Sequence, residues 1–429
     1  MKTDVIIIGA GAAGLMAAYT LVKAGKTVTI LEARNRLGGR IHTINEKFSS
    51  PTELGAEFVH GDLPVTLALL EEAGIGTTDV GFEMWQYHDG KFEQSEAFVD
   101  GWDELLEKLN ELEHDMPLHD FLEQNFSGKE YAKMRIQLED FVSGYDTADS
   151  HDASAFALRN EWNHEDEDAQ HRVNGGYQAM IAYLANICHK AGNDIFLNSV
   201  VKEVVWDKGS VKVITTSGEI HKAAKVIVAL PLGVLQALPD ADGAIVFTPP
   251  IPERAVAISN IGFGSVIKIL LEFDEVFWET KVEKADLSGM GFLFTSEEIP
   301  TYWTQSPAHR PLITGWIGGP PAYKIKDRSD EAILNLTLAS LSNVFKISPE
   351  ILKDKLITSN VANWTAEPYT RGSYAYDKVE SPEARHILNE PLLQTIYFTG
   401  EYLYDGPAIG TVEAALTSGK GAGEKLKGL

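Results

Sequence analysis

The chain has 429 residues, 44% of them hydrophobic, with 37 Lys and Arg against 62 Asp and Glu and a formal net charge of -25. That length exceeds one ordinary core and provides for two or three domains with a cleft between them, and the hydrophobic fraction excludes a disordered or collagen-like chain. The negative balance opposes binding to nucleic acid or to anionic lipid and steers cationic partners inward, although plain solubility accounts for the same charge.

In chain order, the stretch DVIIIGAGAAG at positions 4 to 14 is a continuous apolar run ending in glycines, the pattern of a central parallel strand turning into a helix. AAGLMAAYTLVKAG is that helix and KTVTILEA a second strand, so the three make a βαβ unit. A helix is expected at about 63 to 74. From about 82 the texture changes: WDELLEKLNELEHDMPLHDFLEQNF and GKEYAKMRIQLEDFVSGY carry apolar residues at helical spacing opposite charged faces, which predicts a helical insertion. The acidic run HEDEDAQHR, 164 to 172, is most simply a solvated loop.

The α/β texture returns at NGGYQAMIAYLANICHKAG, with strands at SVVKEVVWD, VKVITTSG and AAKVIVAL. FTPPIP, 247 to 252, has the composition of a linker, and SVIKILLEFD, GFLFTS and PLITGWIGG beyond it suggest a second sheet. TIYFTGE is again a buried strand, leading to the glycine-rich helix AIGTVEAALTSGKGAGEKL. The expected fold is α/β: a Rossmann-like dinucleotide-binding domain from residues 1–80, 171–245 and 361–429, with an α+β substrate domain inserted as 81–170 and 246–360.

No signal or transit peptide is expected before the first strand. The most apolar later segment, 226 to 238, is short and interrupted by Pro231, so no membrane span is expected. The single cysteine, Cys188, excludes an internal disulfide framework and a Cys-based zinc site; no metal is expected, and a reducing, cytoplasmic compartment suits the chain. Nothing in the sequence fixes an oligomeric state.

Gly9, Gly11 and Gly14 form G-x-G-x-x-G between a predicted strand and a predicted helix, the context that gives the motif meaning. Gly9 permits the tight turn, Gly11 lets the backbone approach a pyrophosphate, and Gly14 allows close helix–strand packing, while the helix N-terminus offers free N–H groups to phosphate. Glu32 ends the second strand where an acidic side chain accepts hydrogen bonds from a ribose, which favours an unphosphorylated adenosine ribose. These residues leave FAD and NAD both open.

EARNRLGGR, 32 to 40, resembles the fingerprint of the flavin-containing amine oxidoreductase family, which includes monoamine, polyamine and L-amino-acid oxidases. The resemblance continues in the family's order through LGAEFVHG at 54, NGGYQAMIAYLA at 174, VALPLGVL at 228, GSVIKILLEF at 264, NWTAEPYTRGSY at 363 and YFTGEYLYDGPAIGTVEAALTSG at 397, nearly the whole chain. It implies an FAD cofactor, with Gly39, Gly400 and Thr411 beside it, Arg34 and Arg40 at the phosphates and flavin surroundings, Val201 holding adenine through its backbone, and Glu401 at the ribityl or pyrophosphate region. A helix starting near Gly410 would place its partial positive charge beside the flavin.

The resemblance further implies removal of a hydride from the carbon beside an amine nitrogen, imine hydrolysis, and oxygen as acceptor. In VIKILLEF, Ile267, Ile269, Leu271 and Phe273 share one strand face and Val266, Lys268, Leu270 and Glu272 the other. Taken alone Lys268 is a solvated strand residue; by the resemblance it is the lysine that reaches flavin N5 through a water. Tyr374 matches one wall of the family's aromatic cage, which aligns an amine by ring electrostatics, and the other wall falls at the non-aromatic Thr411. Trp364 packs near the flavin or is simply a core aromatic. Ser373 stands where monoamine oxidases attach flavin through cysteine, so the FAD is expected to be non-covalent.

His60, in LGAEFVHG, falls where polyamine oxidases carry His or Glu facing substrate, and a neutral imidazole there serves as hydrogen-bond partner or base; a histidine satisfied by local backbone is the plainer account. Glu57 is a candidate for a second substrate ammonium. The resulting expectation is a small-molecule amine substrate, polyamines favoured, with L-amino acids, monoamines or cyclic alkaloid-type amines as alternatives. Arg310 is a candidate carboxylate partner for the amino-acid alternative, and an inactive flavin-binding scaffold is the remaining one.

Overall fold

The structure is a computed structural model that describes residues 3–61, 63–81, 83–94, 99–164, 170–279 and 285–428. A large mixed sheet has the strand order Asp194–Phe196, Val28–Leu31, Thr3–Ile8, Ile220–Val228, Ser210–Thr215, Val201–Asp207 and Val246–Thr248, with Ile396–Phe398 also paired to Ile220–Val228. Thr3–Ile8 runs parallel to both its neighbours and is buried on both faces, because Val5 and Ile7 enter one core while Ile6 and Ile8 enter the other.

Helices Ala12–Lys23 and Val412–Leu426 cross closely over that sheet. Glycines decide the distance: a Cβ on Gly419 would lie 2.2 Å from the Ala13 carbonyl oxygen, and one on Gly423 would lie 2.7 Å from Thr20 Cβ. The same C-terminal helix ties down a third, since Glu413 accepts from the Val65 N–H at 3.0 Å and the Thr66 N–H at 2.7 Å, satisfying the opening turn of Pro64–Ala73.

A second sheet has the order Leu356–Asn363, Val266–Phe273, Leu312–Gly318, Thr301–Trp303, Met290–Thr295, Glu83–His88 and Lys91–Gln94. All eight residues of Val266–Phe273 are buried, with Ile267, Ile269, Leu271 and Phe273 in one core and Val266 and Leu270 in another. The helices from Trp102 to Trp162 form the expected helical unit around their own core, which includes Leu105, Phe121 and Leu138. Among the described residues no helix is long and apolar enough to cross a membrane.

Three sequence expectations are corrected. The segment from 82 does not begin as helix: Glu83–His88 and Lys91–Gln94 form a hairpin that extends the second sheet, with Trp85 and Tyr87 directed into its core. The FTPPIP stretch is only partly a linker, because Val246–Thr248 pairs with Val201–Asp207 and Pro252 begins a helix. In the acidic run, residues 165–169 lie outside the described residues, whereas Gln170–Val173 is a strand paired with Phe58–His60 and Thr77–Asp79. The sequence QHRV carries no apolar–polar alternation, so its pairing with two other segments, and not a local pattern, makes it a strand.

Candidate active site

A cavity of about 1400 Å³ is lined from both sheets and from the helical unit. Pockets for single small ligands typically hold ~300–1,000 Å³, so this one has room for a dinucleotide and a substrate. Every residue singled out from the sequence as catalytic or cofactor-binding lines it except Gly14. Gly14 acts from behind: a Cβ there would stand 2.0 Å from the Gly9 carbonyl oxygen, so helix and strand approach only because the side chain is absent.

At the nucleotide end Gly9 has φ +103°, a left-handed conformation that favours glycine, and a Cβ would meet the Ala229 carbonyl oxygen at 2.5 Å. Gly11 has no such obstruction and opens on the cavity beside Ala12 and Ala13, the first residues of the helix. Glu32 is 4% exposed and accepts from the Ala10 N–H at 2.8 Å and the Arg34 N–H at 2.9 Å, which leaves lone pairs toward the cavity it lines. Gly39 and Val201 border the same end.

The two arginines of the cavity wall are already paired. Arg34 donates to Glu367 and, at 2.7 Å, to the Thr370 hydroxyl. Arg40 donates to Glu401 at 2.8 Å and to the Ser373 carbonyl at 2.7 Å. Glu401, buried, also accepts from the Ala375 N–H. Thr411 caps Val412–Leu426, its hydroxyl accepting from the Ala414 N–H at 3.2 Å, so the positive end of that helix opens on the cavity beside Gly400 and Gly410.

Lys268 is 1% exposed, not solvated. Its Nζ donates to Glu57 at 2.7 Å and to the Gly55 carbonyl at 3.1 Å, and lies 5.2 Å from the centre of the Trp303 ring. An ammonium has three donors, so one remains for the cavity. Glu57 is saturated: besides Lys268 it accepts from Arg172 Nε at 3.2 Å, Trp303 Nε1 at 3.1 Å and Gln305 Nε2 at 3.3 Å. Burial pushes the Glu57 carboxyl up, but the charges of Lys268 and then Arg172 outweigh it and hold it down at about 2. Glu57 therefore answers cations inside the protein and is not free for a second substrate ammonium, which corrects that expectation.

His60 sits in register with Gln170 in the small sheet, and its Nδ1 lies 2.6 Å from Gln170 Oε1. Burial lowers its basicity and keeps the imidazole neutral, with the Gln170 bond acting the other way. The Tyr374 hydroxyl donates to the Tyr145 carbonyl. Burial first, then the negative Asp146 and Glu161, pushes its phenol far up. Trp364 Nε1 donates to the Leu54 carbonyl at 2.8 Å, which fixes that ring against the Gly55 backbone. Ser373, buried, shares a 2.6 Å hydrogen bond with the Thr147 hydroxyl.

Arg310 does not reach the cavity. Its guanidinium lies 3.9 Å from Glu272 and 3.4 Å from the Thr52 hydroxyl, so it is removed as a carboxylate partner. The residues that sequence reading missed are Gln170, Arg172, Trp303 and Gln305. Each acts through a pairing between separate segments, for which consecutive residues carry no signal.

Residues 12–426 match the family model described as flavin containing amine oxidoreductase. The chain belongs to that family. The cofactor of this family is FAD. A mouse lysine-specific histone demethylase 1B is 29% identical over 93% of the chain and 50% of its own length, and Polyamine oxidase 2 of Arabidopsis thaliana is 29% identical over 100% of the chain and 89% of its own. The chain thus spans about half the length of the first of these. The structure of a wild-type putrescine oxidase bound to putrescine superposes with a TM-score of 0.80 at 23% identity, covering 100% of both chains, a likeness of fold. The cavity fits the family's cofactor on the protein's own features: an unobstructed Gly11 backbone, a buried Glu32 at one end, and a capped helix N-terminus at the other.

Proposed function

We propose that this family member is an FAD-dependent amine oxidase that takes a hydride from the carbon next to an amine nitrogen and favours polyamine-type substrates. Charge carries the reading. The only arginines among the described residues lining the cavity, Arg34 and Arg40, are paired with Glu367 and Glu401, and the wall near Tyr374 carries Asp146 and Glu161. Such a site attracts a cation and offers no free guanidinium to a substrate carboxylate, which disfavours L-amino acids.

Glu32 and Val201 would hold the adenosine end; Gly9, Gly11, Arg34 and Gly39 the pyrophosphate; and Arg40, Gly400, Glu401 and Thr411 the flavin end. With Ser373 at the monoamine-oxidase attachment position and Cys188 buried elsewhere, we assign non-covalent binding. Bound FAD supplies the hydride acceptor and returns the electrons to oxygen. Tyr374 offers a ring face that orients the amine, with no aromatic partner at Thr411. The neutral imidazole of His60 accepts a hydrogen bond or proton from the substrate nitrogen. Lys268 presents its remaining N–H as a fixed positive charge on the cavity wall. We place the FAD-binding domain in residues 1–80, 171–245 and 361–429, the substrate domain in the remainder, and the protein in the cytoplasm.

The test is anaerobic flavin bleaching with polyamines, monoamines, cyclic amines, L-amino acids and a lysine-containing peptide. Rapid bleaching by spermidine supports the reading. Bleaching by another class alone replaces the substrate, and a yellow protein that nothing reduces removes the activity.

A further inference from the structure

We propose that Glu57 is a positioning residue that holds the Lys268 side chain in place at the cavity wall, with Arg172, Trp303 and Gln305 fixing the carboxylate. The inference rests on the reading above that Lys268 faces the flavin.

Strand geometry alone gives Lys268 a different partner. Glu272 shares its face of Val266–Phe273, but that carboxylate is occupied by the Ser49 N–H at 3.0 Å, by the Ser49 hydroxyl, and by Arg310 at 3.9 Å. The counter-charge of Lys268 comes instead from Glu57, on the segment leading into Phe58–His60, through a 2.7 Å contact with the lysine 1% and the glutamate 7% exposed at their side chains. A buried ammonium without such a partner would shed its proton.

The cluster holds an excess of positive charge. Lys268 and Arg172 are cations and Glu57 is the one close carboxylate; Glu53, also nearby, is pushed up to about 7 by burial and so is only part-ionised near neutrality. Arg172 cannot swing away, because its other nitrogens donate to the Ser306 carbonyl at 2.5 Å and the Thr304 carbonyl at 2.9 Å. Its fixed charge would destabilise a neighbouring ammonium if Glu57 did not stand between them. Trp303 closes the cluster, donating to Glu57 while its ring lies under Lys268 Nζ. Lys268 is consequently held by Glu57, the Gly55 carbonyl and the Trp303 ring, with its remaining N–H left for the cavity.

The experiment compares FAD-loaded wild type with Glu57→Gln, which removes the counter-charge at constant volume. Lys268 acetylation by acetic anhydride is followed by peptide mass spectrometry, because only the neutral amine reacts. Labelling is expected to rise roughly tenfold near neutral pH, the change in neutral fraction given by about 1.4 kcal/mol of lost stabilisation of the charged form. Reoxidation of the reduced enzyme by oxygen should be slower in the variant than in wild type. Glu57→Asp, which keeps the charge, should restore most of the protection. A folded, flavin-loaded Glu57→Gln that labels like wild type overturns the assignment. Should that variant fail to fold, Trp303→Phe decides: with the Nε1 donor to Glu57 gone and a ring kept, labelling should rise, and labelling level with wild type overturns the proposal. A wild type that no amine bleaches would remove the oxidase reading and leave the labelling result standing, since labelling needs no turnover.

Discussion

The buried Glu57 carboxylate makes the acid stability of this protein calculable at one site. Its folded-state pKa is about 2 against an ordinary 4.5, so folding favours the charged form, despite burial, through Lys268 and Arg172. Because the folded value is depressed, its contribution is complete above the unfolded value and is lost as pH falls toward the folded one. Full linkage amounts to about 3 kcal/mol near neutral pH and about 2 kcal/mol at pH ~3.5. Glu57→Gln has no such titration. Urea unfolding of both proteins from neutral pH down to acid conditions should show the stability gap narrowing by about 1 kcal/mol, with the carboxylates that are not coupled to Glu57 cancelling in the difference. A gap that stays constant over that range would refute the coupling of Glu57 to its two cations.

Other perturbations separate packing, capping and substrate orientation. Gly14→Ala drives a Cβ to 2.0 Å from the Gly9 carbonyl, a backbone atom that cannot yield, so Tm and flavin content per chain should both fall, at a cost of about 3 kcal/mol. Thr411→Ala removes the cap on the Ala414 N–H and should cost about 1 kcal/mol in chemical denaturation while weakening flavin retention. Tyr374→Phe loses the bond to the Tyr145 carbonyl, about 1 kcal/mol of stability, but keeps the ring, so KM for amines should hardly move; Tyr374→Ala should raise KM roughly tenfold, and equal KM values for the two would remove the ring's orienting role.

The nucleotide end was legible in the sequence because its determinants are local. Gly9, Gly11 and Gly14 lie within one strand–turn–helix, and Glu32 directly follows the next strand, so spacing alone placed them. The face alternation of Val266–Phe273 was legible for the same reason, since a strand's period is a property of consecutive residues. What that alternation could not give was the surroundings of Lys268. Glu57, Arg172 and Trp303 come from three other segments, and only their convergence turns a lysine that sequence places on a solvated face into a buried, paired cation. Arg310 shows the converse: its residue type suited a carboxylate ligand, but the fold spends it on Glu272, away from the cavity. Sequence by itself determined the cofactor framework, through short-range turn and strand geometry. Tertiary structure decided which charges meet, because ion pairing depends on distances of a few ångströms between segments that the sequence keeps far apart.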